Sequence, residues 1–168
     1  MAVSELVTER LVGYPLSAAD ADDLVALHAD RRVTRGEPLT AEEAHEWLAR
    51  KLAHWREHGF GVWMFRNPDG GFVGRCGIHR WSLDGRSEVE LGYVVRPELW
   101  SQGFATEMAS AVARHAFSVL GLPELVGFTL PENIASRRVL EKVGFTYERD
   151  FVGATGERTV LYRLHQVR

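Results

Sequence analysis

The sequence predicts an α+β domain on a mixed, mostly antiparallel sheet, and three observations carry that prediction. Strand-like runs between residues 60 and 95 are joined by two short turns, Asn67-Pro68-Asp69-Gly70-Gly71 and Asp84-Gly85, which makes an antiparallel meander. The last of these runs, 88–95, passes through Arg96-Pro97 and Ser101-Gln102-Gly103 into helical periodicity at Phe104, Met108, Val112 and Val119. A further short strand at 124–129 then completes a strand–helix–strand unit, whose crossover demands one parallel pair.

In chain order, residues 6–16 read as a first strand, with Leu11, Val12 and Tyr14 at β-favouring positions. Ser17 and Asp20 mark a helix start leading to Leu24, Leu27 and His28. Residues 30–39 are charged, end near Pro38 and read as a loop. Thr40 and Glu43 form a capping box for a helix through Ala44, Leu48, Leu52 and Trp55 that stops at Gly59. Strands follow at 60–65, 72–81 and 88–95. Asn133 starts a helix with Ala135, Val139, Leu140 and Val143 inward and Gly144 as its stop. Strands at 145–152 and 159–164 close the chain. No repeat or linker interrupts it, so 1–168 reads as a single domain with a ligand crevice at the C-terminal end of strand 88–95.

Composition excludes several classes. The chain has 168 residues, 45% hydrophobic and 26% charged, enough for a full core without staples. A net charge of −3 argues against a nucleic-acid partner. No apolar run reaches membrane-spanning length, and the start MAVSELVTERL lacks the pattern of a secretory signal. The one cysteine, Cys76, rules out an internal disulfide and fits a reducing compartment, so a cytoplasmic location is expected.

A strand ending in a glycine-containing turn at a helix start presents unpaired N–H groups and a positive dipole end, a cradle for phosphate. Glu88 and Glu90, two apart in a strand, share one face, and either is a candidate base. His54-Trp55-Arg56-Glu57-His58 matches the H-x-x-E-H zinc-peptidase pattern, but no third ligand completes it, and exposed helix residues are the better reading. Cys76, between Gly74 and Gly77 with no adjacent base, reads as a buried thiol.

The run RPELWSQGFATE, followed about thirty residues later by PENIASRRVLEKVGF, resembles the GNAT superfamily of acetyl-CoA-dependent N-acetyltransferases. TERLVGYPL and EVELGYVV resemble its ribosomal-protein N-terminal acetyltransferase (RimJ/RimL-like) branch. The resemblance implies a GNAT-like sheet with helices on both faces and a splayed parallel strand pair. It implies that Gln102, Gly103, Phe104, Ala105 and Thr106 hold the coenzyme A pyrophosphate. The backbone of Tyr93, Val94 and Val95 would pair with the pantetheine arm, an N–H near Val94 would polarise the thioester carbonyl, and Asn133 and Ser136 would contact the arm and the thiol. Trp100 stands where relatives often carry Gln or Arg. Glu90 is the implied base and Ser136 the implied acid, because Leu140 occupies the position of the tyrosine that many relatives use. Arg137 and Arg138 read as solvated, with cofactor phosphates as the alternative. The acceptor is expected to be a small-molecule amine or a protein N-terminus, without a metal, and the family allows a homodimer. A non-catalytic acyl-CoA-binding module on the same fold is the alternative that Leu140 keeps open.

Overall fold

The computed structural model describes residues 5–34 and 37–167; the reading of the first four residues and of part of 30–39 lies outside them. The elements are β1 (Leu6–Val7), β2 (Val12–Pro15), α1 (Ala21–His28), α2 (Arg31–Thr34), α3 (Ala41–His58), β3 (Val62–Arg66), β4 (Phe72–Leu83), β5 (Arg86–Val95), α4 (Phe104–Ser118), β6 (Glu124–Thr129), α5 (Ile134–Val143), β7 (Thr146–Val152) and β8 (Arg158–His165). They form one eight-stranded sheet in the order β1-β2-β3-β4-β5-β6-β8-β7. Every neighbouring pair is antiparallel except β5 and β6.

Local chemistry sets most boundaries. Thr40 Oγ1 accepts the Glu43 N–H at 3.2 Å while Glu43 Oε2 accepts the Thr40 N–H at 2.7 Å, satisfying orphan donors at the start of α3. Gly59 ends that helix at φ 73°, a conformation that costs glycine nothing. Asp84 and Gly85, at φ 52° and 76°, give the β4–β5 hairpin the left-handed turn its twist favours.

Three expectations need correcting. Residues 6–16 are two short strands, not one, because the chain reverses at Thr8, whose N–H and hydroxyl both donate to the Leu11 carbonyl, at 2.9 and 3.1 Å. The stretch 30–39 contains the single-turn α2, its first N–H groups held by Asp30. Val119 and Ala135 are exposed, Val119 lying just past the end of α4 and Ala135 facing out on the first turn of α5.

The sheet is covered on both faces. Met108, Ala109, Val112, Ala113 and Ala116 of α4 pack on Cys76, Ile78, Leu91 and Val95, with Leu140 of α5 in the same core. On the other face Leu24, Leu27 and Leu48 of α1 and α3 pack on Val62, Met64 and Phe72. Each of the Val, Leu, Ile, Met and Phe side chains contributes about 1.5–3 kcal/mol on burial, and the alanines let α4 lie close to the sheet. Among the described residues no helix is long and apolar enough to cross a membrane.

Beneath α3, His28 is 3% exposed and its Nδ1 has no hydrogen-bond partner. Burial, and then the nearby Arg75 charge, hold its pKa down from 6.5 to about 4. The unfolded chain therefore binds a proton that the folded chain refuses, and stability present above pH 6.5 is lost as pH falls toward 4. His28→Asn is expected to remove about 2 kcal/mol of the stability loss seen between pH 7 and 5, measured by urea unfolding at both pH values.

Candidate active site

The parallel pair β5–β6 touches at Glu90↔Val126. Beyond that point the strands part. β5 stays in full register with β4 from Arg86 to Val95, while β6 stays with β8 to Thr129, so the gap opens between them. It leads into a cleft of about 380 Å³ whose walls include Lys51, Arg75, Glu90, Tyr93, Asn133 and Ser136.

Glu90 and Glu88 do share a face, but the structure separates their chemistry. Glu90 Oε2 lies 2.8 Å from Nε2 of His79, its direct partner across β4–β5, with the carboxylate side chain 13% exposed at the cleft. Glu88 is gripped through both oxygens by Arg163 at 3.0 Å, and Arg163 also bonds Glu124 and Glu148. Glu88 thus belongs to a buried ion cluster and Glu90 to the cleft.

Ser136 is joined to a residue whose side chain the sequence did not implicate. The Tyr93 hydroxyl lies 2.9 Å from Ser136 Oγ and donates to the Ser136 carbonyl at 2.9 Å. Burial pushes the Tyr93 pKa up, so the phenol stays protonated at neutral pH. Asn133 Oδ1 caps α5 by accepting the Ser136 N–H at 3.2 Å. Leu140 is 2% exposed, and a Cβ on Gly127 would come within 2.6 Å of it, so this position is given over to close packing of α5 on β6.

The turn before α4 has Ser101 and Gly103 at φ 62° and 82°. No side chain caps α4, so the N–H groups of Phe104, Ala105 and Thr106 open its first turn without an intrahelical acceptor. Arg10 braces this turn from β2's approach. It donates to the Gln102 carbonyl at 3.0 Å, pairs with Glu107 at 2.7 Å and stacks 4.2 Å over Phe104. Such an array of donors beside a positive dipole end suits a phosphate. Arg10 was invisible in the sequence because it lies more than ninety residues upstream of the turn.

The ladder fixes which backbone N–H groups around Val94 face the gap. Arg96 N–H donates to the Val73 carbonyl at 2.9 Å, and with Val94 opposite Arg75 the alternation turns the Val94 N–H toward β4. The N–H groups of Tyr93 and Val95 face the gap instead. The Val95 carbonyl accepts the Trp100 indole N–H at 2.8 Å, which ties the strand end to the turn.

The H-x-x-E-H histidines are otherwise engaged. His54 Nδ1 is 2.9 Å from the Phe60 carbonyl and Nε2 accepts the Arg80 N–H at 3.0 Å. Arg137 is held by Tyr162 and the Pro131 carbonyl, while Arg138 is exposed. Cys76 is fully buried and burial pushes its thiol pKa far up, as a core thiol requires.

The profile of the acetyltransferase (GNAT) domain family matches residues 10–146. The chain belongs to this family. An uncharacterized N-acetyltransferase of Bacillus subtilis, YoaA, is 32% identical over 85% of this chain and 83% of its own length. The FsC-acetyl coenzyme A-N(2)-transacetylase of Aspergillus fumigatus is 33% identical over 87% of this chain, which spans 66% of that enzyme. An acetyltransferase from Agrobacterium tumefaciens superposes with a TM-score of 0.84 at 30% identity, covering 99% of this chain and 96% of the other. The GNAT protein described here is accordingly an acetyl-CoA-dependent N-acetyltransferase, and its splayed sheet is that of the family.

Because Glu88 neutralises a buried guanidinium and Glu90 borders the cleft, their substitutions should separate. Glu88→Gln is expected to cost about 1–3 kcal/mol in urea unfolding, and Glu90→Gln less than about 1 kcal/mol.

Proposed function

We propose that this enzyme transfers acetyl from acetyl-CoA directly to a primary amine, with Glu90 as the base. The observation that carries the reading is the meeting of Glu90, Tyr93, Asn133 and Ser136 in one cleft at the β5–β6 gap. Glu90 takes a proton from the acceptor ammonium, leaving a neutral amine to attack the thioester carbonyl. The carbon–nitrogen bond forms as the carbon–sulfur bond breaks; the Ser136–Tyr93 hydroxyl pair gives a proton to the departing sulfur, and the surplus proton shed by the acylated nitrogen restores it through solvent. A thiol of pKa about 8.5 asks little of that donor. Gln102, Gly103 and the first turn of α4 hold the pyrophosphate. The Tyr93 and Val95 backbone and the free amide end of Asn133 line the pantetheine arm.

The finer branch is part of the proposal. TERLVGYPL and EVELGYVV support kinship of sequence with the ribosomal-protein branch, while the acceptor is set by the cleft and not by that kinship; a RimL ribosomal L7/L12 acetyltransferase in complex with coenzyme A shares the fold at a TM-score of 0.80, with 13% identity. The whole chain working as one domain, in the cytoplasm and as a homodimer, completes it.

Glu90→Gln is expected to lower amine-dependent thiol release about 10²-fold or more at neutral pH, the gap closing as pH passes the acceptor's own amine pKa. An undiminished rate would remove Glu90 as base. Arg10→Ala is expected to weaken CoA binding about five-fold by calorimetry while costing less than about 1 kcal/mol of stability.

A further inference from the structure

The acceptor end of the cleft holds a charge pattern that acetyl transfer alone does not require. Lys51 of α3 and Arg75 of β4 both line it, and neither makes an ion pair or a side-chain hydrogen bond with any described residue. Arg75 Nε is sealed from solvent with no partner. The fold treats its other half-buried arginines differently: Arg66 bonds Asp20 and Asp23, and Arg163 bonds Glu88, Glu124 and Glu148.

Trp47 holds the two cations in place. The Arg75 guanidinium sits 4.5 Å over its ring and the Lys51 ammonium 5.6 Å away. Cation–π contact offsets only part of the cost of removing an unpaired cation from water. His28, edge-on to Trp47 at 5.0 Å, cannot supply a negative charge. Glu90 is the acid whose charge acts on both cations, and its carboxylate is engaged with His79. The cations lie on the sheet face covered by α1 and α3, away from the phosphate-type turn at the start of α4. A counter-charge is missing, and the acceptor is the molecule placed to bring it.

We propose that the acceptor is a small amine that also bears a carboxylate, a free amino acid, its ammonium at Glu90 and its carboxylate between Arg75 and Lys51. This rests on the acetyl-transfer reading for the position of the amine. A cleft of about 380 Å³, shared with the thioester end of the cofactor, leaves room for a small acceptor. Polyamines and aminoglycoside-like amines would bring like charge to Arg75 and Lys51 and be disfavoured.

The test is acetyl-CoA-dependent thiol release by the full chain against the common amino acids, their primary amides, the matching decarboxylated amines, spermidine and an aspartyl peptide. At least one free amino acid is expected to exceed its amide about 100-fold in kcat/KM, the value of a charge-assisted bidentate contact. Arg75→Gln is expected to shrink that gap to about three-fold, chiefly through KM, and Lys51→Met to shrink it part-way. Amides or spermidine matching the amino acids, or the peptide surpassing them, would overturn the inference while leaving acetyl transfer intact. No release with any amine would overturn the acetyl-transfer reading instead. The anion site is then decided by calorimetric titration of CoA-saturated protein with N-acetyl amino acids and their amides, where equal affinity overturns it and a preference for the acids that Arg75→Gln abolishes supports it.

Discussion

The parting of β5 from β6 is the constraint on which the rest of this molecule depends. A parallel pair laddered at the single position Glu90↔Val126 leaves the strand ends beyond it with unpaired backbone groups, which a sheet normally does not tolerate. Each strand survives because its other edge is fully laddered, β5 on β4 and β6 on β8. The helices close the arrangement: α4 packs on β4 and β5 from one face and α5 packs on β6 through Leu140 against Gly127. The gap is therefore held open by well-ordered neighbours, and its donors are set in place before a ligand arrives.

Charge in the cleft is arranged by partner rather than by residue type. Glu88 and Glu90 differ by two positions in one strand, yet Glu88 meets Arg163 from β8 and Glu90 meets His79 from β4. The same logic separates the arginines. Arg66 and Arg163 are each enclosed by acids, while Arg75 rests on Trp47 with no acid in contact. Neutral His28 beside it adds no third cation to Arg75 and Lys51.

Much of the site could be read from the chain. The turn after strand 88–95 and the cap at Asn133 are local features, each announced by a strand end, a proline, a glycine or a helix start, whereas Glu90 was singled out from Glu88 only by the family resemblance. Tyr93 was named for its backbone, but its hydroxyl meets Ser136 forty-three residues away. Arg10 and His79 were missed for the same reason: each acts on a partner brought close only by folding, Arg10 on the Gln102 turn and His79 on Glu90. The resemblance implied an N–H near Val94, and only the ladder with β4 shows which edge of the strand each N–H faces.

The sequence by itself determined the element order from residue 40 onward, the two hairpins, the helix caps and the single parallel crossover, because each follows from backbone stereochemistry and from apolar periodicity within one segment. It also determined the family, whose motifs are contiguous. Tertiary structure alone decided which glutamate faces the cleft, which hydroxyl supports Ser136, and that Lys51 and Arg75 share one cavity with no acid bonded to either among the described residues. Those are matters of charge and desolvation between segments far apart in the chain, and such energies depend on distances that no local pattern encodes.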